Sequence, residues 1–491
     1  MTRTEQRQPE TSPEADPHRW RALAICLVGG FMVLLDVSIV NVALPAIRTG
    51  LHAPPSDLQW VVSGYALTFG LLLVPAGRFG DVRGRRSVFV GALGLFTLAS
   101  AGCGAAQGST WLVIARLAQG LAGGTLTPQI TALIQELFSG RERGKAFGIF
   151  GAVVGISTAI GPLLGGLLIA GFGETEGWRA VFFVNVPIGL VAMPIAWRLL
   201  PRPDASTRKH KHDYDPVGVV LLGVGAVLLL LPFVQEQTWK GALKWLLVPG
   251  ALLLITAFVL WDRRYAAKGR EPVVDLDLFR LRSYSFGTFM ITLYFAGFTP
   301  LFFVFTLYLQ TGIKYSALAA GLAITPFALG SGVAATLGGQ VVHRYGRPLV
   351  ALGLCIVAVG FAFSLLAVHE VPRHGTGWAT LAPLLLAGLG SGLVITPNQT
   401  LTLSEVPVPR AGTAGGLLQT GQRIGAAVGI AAVGAVFFAD EASTRNYADA
   451  YQHGILVALA FVASALVIAV IDILVDRASG TGRHELGRTG S

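Results

Sequence analysis

Apolar stretches of some twenty or more residues recur along the whole 491-residue chain, and nothing else in the sequence limits its fold so tightly. At 1.5 Å rise per residue, about 20 apolar residues cross a hydrocarbon layer roughly 30 Å thick, and each such stretch must satisfy its own backbone as a helix. Fourteen spans read out, over residues 22–47, 57–77, 87–107, 111–138, 146–171, 180–200, 216–234, 245–261, 284–309, 316–341, 348–368, 378–400, 411–438 and 453–475. With 53% hydrophobic and only 13% charged residues, lipid is the solvent that suits these surfaces. The 62 glycines agree, because small residues let helix backbones approach where lipid gives no hydrophobic drive for association. The expectation is an all-α integral membrane protein.

Charge then sets orientation. The formal net charge of +10 could suggest nucleic acid, but its distribution excludes that reading. Threading the fourteen spans with the N-terminus inside puts 28 of the 37 Lys+Arg in cytoplasmic loops and tails, the positive-inside pattern. The opposite threading would place Arg83, Arg85 and Arg86, and Arg208, Lys209 and Lys211, outside. Both termini are therefore expected in the cytoplasm. Residues 1–20 form a polar, disordered tail with no small-residue cleavage site after it, so the first span reads as a retained helix. Cys26, Cys103 and Cys355 fall inside apolar spans without metal-ligand spacing, and His210 and His212 flank Lys211 in a basic linker. No nucleotide-binding Gly-x4-Gly-Lys-Ser loop occurs. No metal, cofactor, nucleotide or enzymatic chemistry is expected, which leaves an ion gradient as the driving force for any transport.

A repeat organises the chain. Gly77-Arg78-Phe79-Gly80-Asp81-Val82-Arg83-Gly84-Arg85-Arg86 follows the second span, and Gly339-Gln340-Val341-Val342-His343-Arg344-Tyr345-Gly346-Arg347 follows the tenth. Gly, a polar residue at +4, Gly at +7 and Arg at +8 coincide at an offset of 262. Glu136 with Arg143-Gly144-Lys145 is echoed by Glu405 with Arg410-Ala411-Gly412. Two six-helix bundles follow, over 21–200 and 284–477, with the seventh and eighth spans inserted in a linker over 201–283 and a cytoplasmic tail over 478–491. Duplicated halves are how many secondary transporters are built, with the substrate site between them near the midplane.

Charged residues inside the spans are the candidate site. Asp36 lies about 21 Å into the first span, at a depth where a carboxylate costs roughly 2.5–3.5 kcal/mol and marks ion or proton pathways. Arg116 in the fourth span lies roughly 22 Å from the inner face, so the depths match. Gln119, Gly120, Gly123 and Thr127 continue from Arg116 as a stripe facing protein or water, with Gln119 a candidate to line the substrate cavity. Proton occupancy of Asp36 would follow its distance from Arg116, whereas a static ion pair is the rival reading. Arg423, about 20 Å into the thirteenth span, shares a face with Gly412, Gly416, Gln419 and Gln422, a stripe that reads as cavity lining. Neutral or weakly acidic lipophilic substrates are expected in preference to dications, since Asp36 is the one deep carboxylate. In the ninth span Tyr294, Phe298, Phe302 and Phe305 share a face that either stacks on a substrate or meets lipid.

Three further stretches complete the motifs: Leu35-Asp36-Val37-Ser38-Ile39-Val40-Asn41-Val42-Ala43-Leu44-Pro45, Trp178 through Asn185 to Gly189, and Gly151, Gly155, Gly161-Pro162 and Gly165-Gly166. With the Gly77–Arg86 loop, they resemble the major facilitator superfamily, and within it the fourteen-helix drug:proton antiporter family, over nearly the whole chain beyond the tails. His343 departs from the pattern where the first copy has an acid. The resemblance implies proton-coupled efflux of small lipophilic compounds such as drugs or antibiotics across a bacterial plasma membrane, with small substrate, protons and the lipid bilayer as partners. It links the Arg116 position to proton transfer and the glycine and proline motif of span five to export, while Gly77, Asp81, Gly84, Arg85 and Arg86 read from their own charges as a gating loop. Asp81 beside its arginines would cap spans two and three and latch the cytoplasmic side; the rival is a purely topological role. For the span-five motif the rival is ordinary close packing. Proton-coupled uptake or export of another metabolite, such as a sugar or amino acid, is the alternative, and the span-five motif argues against uptake.

Overall fold

A single residue, Gly84, separates the second helix from the third, so the expected loop of Gly77–Arg86 is mostly helix. In the computed structural model, which describes residues 18–173, 175–202, 215–234, 239, 241–270, 272–371 and 375–478, α2 runs Pro55–Arg83 and α3 Arg85–Gly104. Gly84 sits at φ 93°, a backbone state that admits so sharp a join for glycine alone at low cost. The repeat behaves alike: α11 (Ala317–Tyr345) meets α12 (Arg347–Glu370) at Gly346, φ 58°. The basic linker residues Arg208, Lys209, His210, Lys211 and His212, and most of both tails, lie outside the described residues.

The described residues are helical without strands. The remaining helices are α1 (Arg19–Leu51), α4 (Ser109–Leu137), α5 (Gly140–Phe172), α6 (Gly177–Phe183), α7 (Asn185–Leu199), α8 (Pro216–Val234), α9 (Leu247–Ala267), α10 (Arg282–Leu307), α13 (Thr376–Ala379), α14 (Leu381–Thr402), α15 (Ala411–Thr444) and α16 (Tyr447–Ala478). By length and composition, 12 helical segments among the described residues are apolar enough to cross a membrane, with α6–α7 and α13–α14 each counted as one. Two expected spans fall outside that set. One is α4, whose 29 residues include Arg116, Gln119, Gln129, Gln135 and Glu136; the other is α8, a shorter apolar helix.

Helices α1–α7 pack together and α10–α16 pack together, and the two groups meet where α5 lies along α11 and α2 along α15. Glycine makes both seams possible: a Cβ on Gly77 would strike the Gly412 carbonyl, and one on Gly144 would strike the Gly339 carbonyl. These two contacts are copies of one another across the repeat. Both described chain ends lie at the same end of the bundle as Gly84. Arg19 pairs there with Glu142 at 2.8 Å, and near the other terminus Asp472 pairs with Arg347 at 2.9 Å and Arg282 at 3.0 Å.

The inserted pair lies over one seam. Val74 of α2, Val219 and Leu222 of α8, Phe258 of α9, Leu417 of α15, and Val273 and Val274 form one apolar cluster, in which α8 packs on α2 of one half and α15 of the other while α9 packs on α8. Asp275, in the connection after α9, is ion-paired with Arg410 at the start of α15. Asp215 accepts from Gly218 N (2.8 Å) and Trp261 Nε1 (2.9 Å), which ties the foot of α8 to α9.

Candidate functional site

Asp36 is fully buried midway along α1, and every polar group aimed at it comes from another helix of the first half. Arg116 Nη1 donates to Oδ2 at 2.5 Å, Gln119 Nε2 to Oδ1 at 2.8 Å, and Asn185 Nδ2 approaches Oδ1 at 3.5 Å. Arg116 also donates through Nε to the Val61 carbonyl at 3.0 Å and through Nη1 to Gln119 Oε1 at 2.7 Å. Gln119 Nε2 donates to Ser100 Oγ at 2.8 Å, and Cys103 Sγ lies 3.5 Å from Gln119 Oε1. The Arg116 guanidinium lies 4.1 Å over the Tyr65 ring. A buried pair with its remaining donors and acceptors satisfied is the condition under which charge is tolerated in a low-dielectric interior.

Several of these partners were not singled out in the sequence. Tyr65, Ser100 and the Val61 carbonyl carry no signal beyond ordinary residues within spans. Asn185 did carry one, as a polar residue within the Trp178–Gly189 motif; it begins α7 at the break from α6 and is fully buried. Gln119 was expected to line a substrate cavity. It is instead fully buried as part of the Asp36 network. Gly120 and Gly123 pack against Thr68, Tyr65 and Phe69 of α2, because Cβ atoms there would meet those residues.

The gating residues differ from expectation in their partners. Asp81 does not cap α2 or α3; it caps α15 of the opposite half, accepting from Gly412 N (3.1 Å), Thr413 N (2.9 Å) and Thr413 Oγ1 (3.2 Å). Free N–H groups and the positive end of a helix dipole make α15's first turn a natural place for a carboxylate. Arg85 braces Asp81 at 3.0 Å and also donates to Glu136 (2.9 Å), the Ala132 carbonyl (3.0 Å) and the Val408 carbonyl across the seam. Arg86 turns away, 4.4 Å over the Trp197 ring. His343, the counterpart of Asp81, is exposed. The latch is thus one-sided.

The α15 stripe closes the seam rather than lining a cavity for most of its length. Gly416 packs on Leu73 and Val74, Gln419 donates to Thr131 Oγ1 of α4 at 3.2 Å, and Gln422 is half-buried. Arg423, one turn above Gln419, is the member that reaches open space. It enters a small cavity of about 70 Å³ that it shares with Tyr65, Phe69 and Arg116. In the aromatic strip of α10, Tyr294 and Phe305 are buried while Phe298 and Phe302 are half-buried. Tyr294 is fully buried and stacks on Phe298 at 5.4 Å, which packs in turn on Phe327 of α11 at 5.5 Å.

The glycine and proline motif of α5 forms packing surfaces on both sides. A Cβ on Gly155 would lie 2.7 Å from the Ala328 carbonyl of α11, and one on Gly165 would lie 2.9 Å from Ile39 of α1. Gly151 abuts Thr396 and Ala335, Gly161 abuts Ser38, and Pro162 meets Gly321. Gly166 faces open space, with nothing within 4 Å of a built Cβ. Gly155→Leu is therefore expected to overpack the α5–α11 seam, costing about 1–3 kcal/mol, while Gly166→Ala stays within about 0.5 kcal/mol of the parent. Thermal unfolding in detergent checks both, and equal losses would contradict the assigned contacts.

Comparison with known proteins follows the same lines. A family model for the Major Facilitator Superfamily matches residues 26–430. The chain is 36% identical over 430 residues to a probable actinorhodin transporter of Streptomyces coelicolor, covering 87% of this chain and 74% of that one. It is 37% identical over 421 residues to a cephamycin export protein of Amycolatopsis lactamdurans (84% and 83% covered), and 34% over 468 residues to a puromycin resistance protein of Streptomyces alboniger (93% and 91%). Among solved structures, the proton:xylose symporter XylE bound to 6-bromo-6-deoxy-D-glucose matches with a TM-score of 0.64 at 15% identity, covering 91% of this chain and 95% of that one, a likeness of fold alone.

Proposed function

The chain belongs to the major facilitator superfamily, and on that premise we propose that it exports a small lipophilic organic compound, of the drug or antibiotic kind, in exchange for protons. The observation that carries this reading is the buried Asp36–Arg116–Gln119 network beside a small cavity between the halves, with Asp81 bonded to α15 across the seam at the Gly84 end. In this reading the chain crosses the plasma membrane fourteen times, with α4 and α8 as spans and the Gly84 end and both termini in the cytoplasm. The state described here is then closed to the cytoplasm, with Val37 and Val62 beside the cavity partly exposed at 37% and 36%.

Alternating access is the motion this reading requires. A proton entering from outside neutralises Asp36, weakens its hold on Arg116, and lets α1 and α4 shift relative to each other. That shift is transmitted along α2 and α4 to the seam with α15, where Asp81 leaves the α15 N-terminus and the cytoplasmic side opens. Substrate capture accompanies proton release inward, and the ionised Asp36 draws Arg116 back. The gradient supplies the energy, without cofactor or nucleotide.

Expression in a drug-sensitive bacterium, scored against lipophilic cations, neutral macrocycles and acidic polyketides, should raise the inhibitory concentration of at least one class. Adding a compound of that class to energised inside-out vesicles should release protons, and a protonophore should abolish its accumulation. Resistance to none of them, or accumulation that survives the protonophore, would overturn the reading.

A further inference from the structure

We infer that Arg423 and Tyr65 form an anion subsite between the two halves that takes the ionised oxygen of a lipophilic organic acid. This deepens the export reading, on which it rests, by naming the charge class of its substrate. Arg423 crosses from α15 to the first half and lies 4.6 Å over the Phe69 ring of α2. No acidic group or hydrogen-bond acceptor pairs with it among the described residues. Asp36 is bonded instead to Arg116 and Gln119, through both of its oxygens. Tyr65 lines the same cavity, and its hydroxyl, on a residue 4% exposed, is buried beside Gly123 without a hydrogen-bond partner. One unpaired guanidinium and one residue with an unpaired hydroxyl therefore border the same cavity, next to an arginine already paired with Asp36.

Arg423 is exposed into this space; at membrane depth an unmatched cation is costly, and a ligand anion is the partner that would offset it. The cavity, at about 70 Å³, has room for a carboxylate head, since a water's share of liquid is about 30 Å³. The apolar remainder of the ligand has a wall to follow, formed by Val37 and Val40 of α1 and Val62 and Ala66 of α2. Because Arg423 supplies its own positive charge, the acid binds without drawing Arg116 away from Asp36. A dication entering the same space would meet two guanidiniums.

The test uses the full chain in lipid nanodiscs with a panel of polycyclic aromatic carboxylates, each paired with its methyl ester. The parent is expected to bind one or more acids about tenfold or more tighter than the matching ester, as loss of a charge-assisted bond implies. Arg423→Gln should erase that preference while leaving ester affinity in place, Arg423→Lys should retain part of it, and Tyr65→Phe should weaken acid binding by about threefold. The Lys variant keeps the test usable if the Gln variant is unstable. Equal binding of acids and esters, acid preference that survives Arg423→Gln, or stabilisation by chloride without any acid preference would overturn the subsite. Proton-coupled export of the esters with no preference for acids would overturn it while leaving the export reading intact; a failed resistance profile would overturn the export reading itself.

Discussion

Replacing Asp36 with Asn is expected to abolish proton-coupled export while leaving the protein inserted in the membrane. The amide keeps the size of the carboxylate and an acceptor for Gln119 Nε2, but it cannot take up or release a proton. Substrate-dependent proton release from vesicles should vanish, whereas substrate–substrate counterflow, which needs no net proton movement, should persist. Arg116 would lose its charge partner, and breaking a buried pair in this way costs about 3–5 kcal/mol. The variant should therefore unfold at lower temperature than the parent. The double change Asp36→Asn with Arg116→Gln should recover part of that loss, because no buried charge is then left alone. Gradient-driven transport by Asp36→Asn at the parent rate would remove Asp36 from the coupling mechanism.

The second large effect is expected at Asp81→Asn. Asp81 joins the halves through three bonds to the first turn of α15, and its charge also holds Arg85. An amide presents one acceptor where the carboxylate presents two, and it leaves both the helix dipole and Arg85 unmatched; loss of a cap alone costs about 0.5–2 kcal/mol. The closed state at the Gly84 end should lose population, and turnover should fall more than substrate affinity. Spin labels at Phe79 and Val408, both exposed near that seam, should report longer distances in the variant. Unchanged distances with proportionally weaker binding would contradict a gating role. His343→Ala should have little effect, since His343 is exposed in a copy of the motif that lacks the acid.

The two arginines illustrate how far one-dimensional reasoning reached. Matching depths along two helices were enough to pair Asp36 with Arg116, and the structure places them 2.5 Å apart. Depth alone could not choose a partner for Asp81, because a residue at a helix end has several helices within reach. The intervening glycine contacts, Gly77 on Gly412 above all, bring the start of α15 to it. The same limit applied to Gln419 and to Tyr294, whose residue types suggested a cavity but whose neighbours are Thr131 and Phe298.

What the sequence determined by itself is what hydrophobic length and repetition encode. Twenty apolar residues demand a membrane and a helix whatever surrounds them, and the copied glycine and arginine spacing reveals two halves before any contact is known. The tertiary structure alone decided which face of each helix meets protein. In water an amphipathic stripe announces the buried side, but lipid is as apolar as leucine, so an α10 face turned to α11 and one turned to lipid are written in the same residues. Only packing turned Gln119 toward Asp36, set Asp81 on the far half, and brought Arg423 over Phe69 beside an unpartnered Tyr65 hydroxyl.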